Sequence, residues 1–133
     1  MIQKEELKKI ASLRLKDANS LLKDESYDSA FYFCGYSIEL ALKAKICEHL
    51  DWDGYPSTRS EFNKYQSFRT HDLEVLLSLT GPMKSKIMNT YYDEWSSVYD
   101  WNPEIRYSAI GSIDHKTTIK MIKSSKKLLE ILI

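Results

Sequence analysis

Residues Tyr27–Ile46 read YDSAFYFCGYSIELALKAKI, and they form a helix that is apolar nearly all the way round. At about 100° per residue, Phe31, Cys34, Ile38, Ala41 and Leu42 share one face. Phe33, Leu40, Ala44 and Cys47 share nearly the opposite one. A helix with two apolar faces is buried on both, so it is the centre of a bundle or part of a subunit interface. Gly35 and the alanines let a neighbour pack closely. Only a narrow strip around Glu39 and Lys43 is charged. If the Phe33, Leu40, Ala44 and Cys47 face makes a dimer, Leu40→Glu yields monomers.

Around this helix the chain reads as helices joined by irregular segments. Helix one runs from about Gln3 to Lys23, with Leu7, Ile10, Ala11, Leu15, Ala18, Leu21 and Leu22 at i, i+3, i+4 spacing. Asp24 or Ser26 is placed to cap helix two, which spans Tyr27 to about Leu50. Asp51 to Arg69 reads as a long connection, a length that marks a functional, mobile or partly helical segment. THDLEVLLSL starts a short third helix with Thr70 as its cap, and Thr80–Pro82 ends it. A fourth helix is expected over Met83–Tyr99, with Ile87, Tyr91, Trp95 and Val98 on one face. The fifth runs from about Asp114 to the end, with Met121, Ile122, Leu128, Leu129 and Leu132 inward. No alternating strand pattern is present. The fold class is all-α: an up-and-down bundle of four longer helices and one short helix, forming a single domain over residues 1–133.

The composition supports a packed domain. The chain has 133 residues, 43% hydrophobic and 29% charged, enough to bury a core without metal or disulfide support. Its 19 basic and 19 acidic residues cancel, so a nucleic-acid contact has to come from a local patch. Cys34 and Cys47 lie roughly 20 Å apart if they share a helix, too far for a disulfide. They read as buried thiols of a reducing compartment. The charged start MIQKEELKKI and the absence of a long apolar run give no signal region and no membrane span, so the expectation is cytoplasmic. No Gly-rich phosphate loop and no metal-spaced Cys or His pairs occur, so no cofactor is expected.

RLKDANSLLKDESYDSAFYFCGYSIELALKAKI, Arg14–Ile46, resembles the first two helices of HEPN domains (higher eukaryotes and prokaryotes nucleotide-binding). The resemblance rests on Ala18, Leu21 and Leu22, the acidic turn, Tyr27, Ala30 and IELALKA. THDLEVLL at 70–77 resembles the family's next element, and RYS at 106–108 fits the approach to its last helix. The likeness extends over roughly residues 5 to 130. It implies a helical bundle, usually a homodimer, that binds a nucleotide or RNA. Such domains often partner a separate nucleotidyltransferase in toxin–antitoxin or other defence systems. Some are metal-independent ribonucleases carrying an Arg followed by a His after four to six intervening residues. Here eight residues separate Arg106 from His115, and one separates Arg69 from His71. The expectation therefore leans away from catalysis.

Candidate ligand-binding residues follow from charge, position and that resemblance. Glu39 and Lys43 form an i, i+4 pair, read either as an ordinary ion pair or as one wall of a polar cleft. His71 and Asp72 sit at a helix start, as capping residues or as part of that cleft. Arg106 and Tyr107 lie in an irregular stretch, where Arg106 holds Glu39 or Asp72 or grips a phosphate. In the ribonuclease alternative, Arg106 holds the scissile phosphate and His71 or His115 is the acid/base. A third alternative is a ligand-free interaction domain. Lys116, Lys120, Lys123 and Lys127 form a stripe, read as a solvated face or a phosphate contact. Nine tyrosines and three tryptophans are mostly core or interface, with some available for base stacking.

Overall fold

A computed structural model describes residues 1–133. Helices α1 (Lys4–Lys23) and α2 (Tyr27–Leu50) form a hairpin across a three-residue turn. Glu25 takes the left-handed conformation there, with φ 61°. Ser26 stands at the N-cap of α2, but no side chain caps it; the Ser26 hydroxyl donates to Asp24 instead.

α2 is the hub, and it is packed on three sides. Its face with Phe33, Ser37, Leu40 and Ala44 lies on α1, where the Ser37 hydroxyl donates to the Ala11 carbonyl at 2.6 Å. Arg14 of α1 sits over the Phe33 ring. Leu40, Ala44 and Cys47 are therefore buried within the protomer, and Phe33 is half-buried. This corrects the conditional expectation that they form a dimer contact: α1 already covers them. α7 (His115–Leu132) also packs on α2, and Phe31, Cys34, Ile38, Ala41 and Leu42 of α2 are buried, as are Met121, Ile122, Leu128 and Leu129 of α7. A third side receives α4 (Leu73–Ser78) and the 3-10 turn Pro103–Tyr107. The Trp101 ring rests on Gly35: a Cβ there would stand 2.2 Å from indole atoms.

The fold class is the expected all-α bundle, with differences in detail. The first helix begins at Lys4, because Ile2–Gln3 (β1) pairs antiparallel with Gly54–Tyr55 (β2). Two residues per strand are too few to leave an alternating pattern. The connection from Asp51 to Arg69 also holds α3 (Arg59–Phe62), with a Thr58/Glu61 capping box, and a 3-10 turn at Gln66–Phe68. The expected fourth helix is two: α5 (Met83–Thr90) and α6 (Tyr92–Val98), broken where Tyr91 leaves helical geometry at φ −121° and ψ 29°. A Thr-Tyr-Tyr run has poor helix propensity, and the break still lets Ile87, Trp95 and Val98 all reach the core. No helix is long and apolar enough to cross a membrane.

Candidate functional site

The remaining side of α2 carries Tyr32, Tyr36, Glu39 and Lys43, spaced i, i+4, i+7 and i+11. They make one strip about 16 Å long at 1.5 Å per residue. At its centre Glu39 is only 2% exposed. A buried carboxylate is costly unless paired, and this one has two partners. Lys43 Nζ donates to Oε2 at 2.9 Å. His71 Nδ1 lies 2.9 Å from Oε1, and because a carboxylate only accepts, Nδ1 carries the proton. The His71 side chain stays 64% exposed, and its Nε2 has no protein partner. Lys43 also sits 5.2 Å from the Tyr55 ring centre.

The sequence around His71 explains its placement. Leu73, Leu76 and Leu77 bury one side of α4 against the hub. The N-cap is Asp72, not the expected Thr70: its carboxylate accepts the Glu74 and Val75 backbone N–H groups. Thr70 instead accepts from the Asp72 N–H at 3.0 Å. Helix packing and this turn together set His71 beside α2.

Arg106 occupies the other end of the strip. Its Nη1 donates a long 3.5 Å hydrogen bond to the Tyr32 hydroxyl, and its guanidinium lies 5.0 Å from the Tyr107 ring centre. It holds neither Glu39 nor Asp72, which corrects that expectation. Both Glu39 oxygens are taken, and Asp72 caps α4. Arg106 thus keeps an uncompensated charge. Tyr107 is 72% exposed. Between the two ends, the Tyr32 and Tyr36 rings lie nearly parallel, 6.3 Å apart at 13°. Burial, and then the nearby Glu39 charge, push the Tyr36 hydroxyl pKa up, so it remains a donor.

Beside Arg106 is a cleft of about 330 Å³ walled by Tyr32, Phe33, Ile105, Ser108 and Ile113. Asp28 also borders it, but its carboxylate holds the Gly111 and Ile113 N–H groups at 2.7 and 3.1 Å. Arg106 is therefore the free charge there, and the cleft suits a planar apolar group joined to an anion.

The structure thus brings Glu39, Lys43 and His71 into contact and sets Arg106 and Tyr107 about two helical turns away along α2. It does not bring His115 to them. That ring packs edge-on against Tyr27, 5.4 Å away, twelve residues or about 18 Å before Glu39 on α2. Lys116, Lys120, Lys123 and Lys127 are exposed on α7, with Lys127 near Glu94 at 3.5 Å. Both cysteines are buried and free, and burial pushes the Cys34 thiol up to about 12 and that of Cys47 to about 11. Such thiols are poor nucleophiles. Tyr32 and Tyr36 were not among the sequence candidates, although their helical register with Glu39 and Lys43 marks them as strip residues.

Residues 4–60 match the family model of the HEPN domain. No curated protein and no solved structure matches the chain. The matched segment contains α1, α2 and the strip residues Tyr32 to Lys43; His71, Arg106 and His115 lie beyond it. Helices α1 and α2 thus carry the match to the HEPN domain, and an all-α bundle is built around them.

Proposed function

We propose that this chain is a nucleotide- or RNA-binding module that uses the strip from Arg106 to Lys43. The observation that carries the reading is the pairing, on one helix side, of an uncompensated arginine with two near-parallel tyrosine rings. Aromatic faces stack on bases without regard to sequence, and arginine takes phosphate oxygens in pairs. In this reading Arg106 holds a phosphate, a base lies in the cleft on Tyr32 and Phe33, and His71 and Lys43 meet the next group along the strand. The protein works as a homodimer with a separate nucleotidyltransferase subunit, in a toxin–antitoxin or defence setting. Only the family resemblance supports that setting.

One observation favours a second reading, a metal-independent ribonuclease. An imidazole with Nδ1 held by a buried carboxylate and Nε2 free is the arrangement that prepares a general base. His71, rather than His115, is then the acid/base.

The test is fluorescence anisotropy with a labelled RNA pentanucleotide and with adenosine diphosphate, beside Arg106→Ala and Tyr36→Leu. Each variant is expected to weaken binding about tenfold, the size of one lost stacking or charge-assisted contact. Unchanged affinity in both variants moves binding off this strip. Total RNA incubated with chelator separates the readings: cleavage lost in His71→Ala makes the protein a ribonuclease, and intact RNA leaves a binder. Sedimentation of the purified chain reads the dimer.

A further inference from the structure

A further hollow lies away from the strip. It is a cavity of about 630 Å³ formed by the connection after α2, within the range of about 300–1,000 Å³ usual for small-ligand sites. We propose that this cavity binds a guanidinium or ammonium group.

Its walls suit a cation. Trp52 and Tyr65 line it, with ring centres 5.0 Å apart at 66°. The Trp52 ring is also backed by Phe68 at 5.1 Å, so it is held in place rather than loose. Pro56 adds an apolar edge. Asp51 and Asp53 stand at the rim, exposed, and neither carboxylate has a hydrogen-bond or ion-pair partner in the protein. Glu61 borders the cavity too, but it is spent on the Thr58 capping box and the Met1 amino group. Lys64 is the other lining cation, so two free acids face one lysine. Electron-rich aromatic faces with free carboxylates attract cations, most strongly a flat guanidinium that stacks as it pairs.

The backbone fixes this arrangement. Asp51 is a C-cap residue in the left-handed conformation, φ 56°. The Trp52 N–H donates to the Cys47 carbonyl at 2.8 Å, and the Lys4 N–H to the Asp53 carbonyl at 2.9 Å. Both carboxylates are thereby presented from pinned main chain on either side of Trp52.

The experiment follows the tryptophan indole N–H resonances by NMR during titration with N-acetyl-arginine amide. The neutral isostere N-acetyl-citrulline amide is the control. The expected result is one indole shifting and saturating with the arginine probe, and affinity at least about tenfold weaker for citrulline. Asp51→Asn/Asp53→Asn keeps side chains that suit the same backbone, since Asn tolerates the left-handed region. With its other indole resonances unchanged, it is expected to lose about tenfold in affinity. Spermidine and an arginine-bearing tripeptide distinguish the source: tighter tripeptide binding assigns the cavity to a partner protein's arginine, and tighter spermidine binding to a free polyamine. Equal binding of citrulline, an unaffected double variant, or no indole shift with any cation overturns the proposal.

Discussion

Gly35→Ala tests the placement of Arg106 at its root. In an ordinary helix interior, replacing Gly with Ala stabilises by about 0.5–1 kcal/mol. Here the new Cβ would stand 2.2 Å from three atoms of the Trp101 indole, which is itself 2% exposed. The ring has to withdraw by more than 1 Å to restore about 3.5 Å carbon contacts. Overpacking of this kind costs about 1–3 kcal/mol. The net is a loss of roughly 0–2.5 kcal/mol, with the propensity gain partly masking the clash. Trp101 leads directly into the 3-10 turn that carries Arg106 and lies 5.8 Å from Tyr32. The same substitution therefore moves Arg106 off Tyr32 and weakens nucleotide binding. Urea unfolding with RNA anisotropy reads both. A variant stabilised by the full helix-propensity gain, with unchanged binding, would falsify the seating of Trp101 on Gly35.

Glu39→Ala leaves Lys43 and His71 facing a buried gap; because His71 is largely exposed, the expected loss is about 1–3 kcal/mol in urea unfolding, below that of a fully buried pair. A neutral result would mean the carboxylate is not buried between them. Asp114 caps α7, and Thr117, through its hydroxyl and its backbone N–H, holds the Asp114 pKa below the ordinary value of 3.8. A depressed carboxylate stabilises fully above the unfolded pKa and loses that contribution as pH falls through the folded one. Asp114→Asn should therefore flatten the acid side of the melting profile below about pH 4, and an unchanged profile would exclude this cap from acid unfolding. Cys34 and Cys47, with thiols pushed up to about 12 and about 11, should resist a disulfide reagent at pH 8 until urea unfolds the chain; prompt native-state labelling would contradict their burial.

The sequence made the framework legible because burial writes itself as periodicity. α2 runs over the expected Tyr27–Leu50 because its apolar residues meet α1 on one side and α7 on another. α7 follows the same logic through Met121, Ile122, Leu128 and Leu129. The contact between Glu39 and His71 was only suggested by charge and helix-start position, since it joins residues 32 apart and depends on how α4 lands on α2. The partner of Arg106 was not legible. It depends on the course of the 3-10 turn, which Trp101 fixes by resting where Gly35 has no side chain. The break at Tyr91 was hidden because Ile87, Trp95 and Val98 keep helical spacing across it. The cavity behind Asp51 is assembled from a two-residue strand pair and a one-turn helix, too short to leave a pattern.

The packing of α2 also limits where a ligand can meet this helix. α1 takes the Phe33, Ser37 and Leu40 side, and the side with Cys34 and Ile38 is buried in the core. Gly35 gives its surface to Trp101. What remains is the strip from Tyr32 to Lys43, and the groups that meet Tyr32, Glu39 and Lys43 from outside α2 come from elements later in the chain. α4 delivers His71, the 3-10 turn delivers Arg106, and the strand pair delivers Tyr55 beneath Lys43. A helix hydrophobic on nearly all sides thus serves as a rigid floor. The chemistry that faces outward is set by segments whose positions depend on that floor. This is why Gly35, which makes no ligand contact of its own but seats Trp101 beside Tyr32, is expected to govern binding as well as stability.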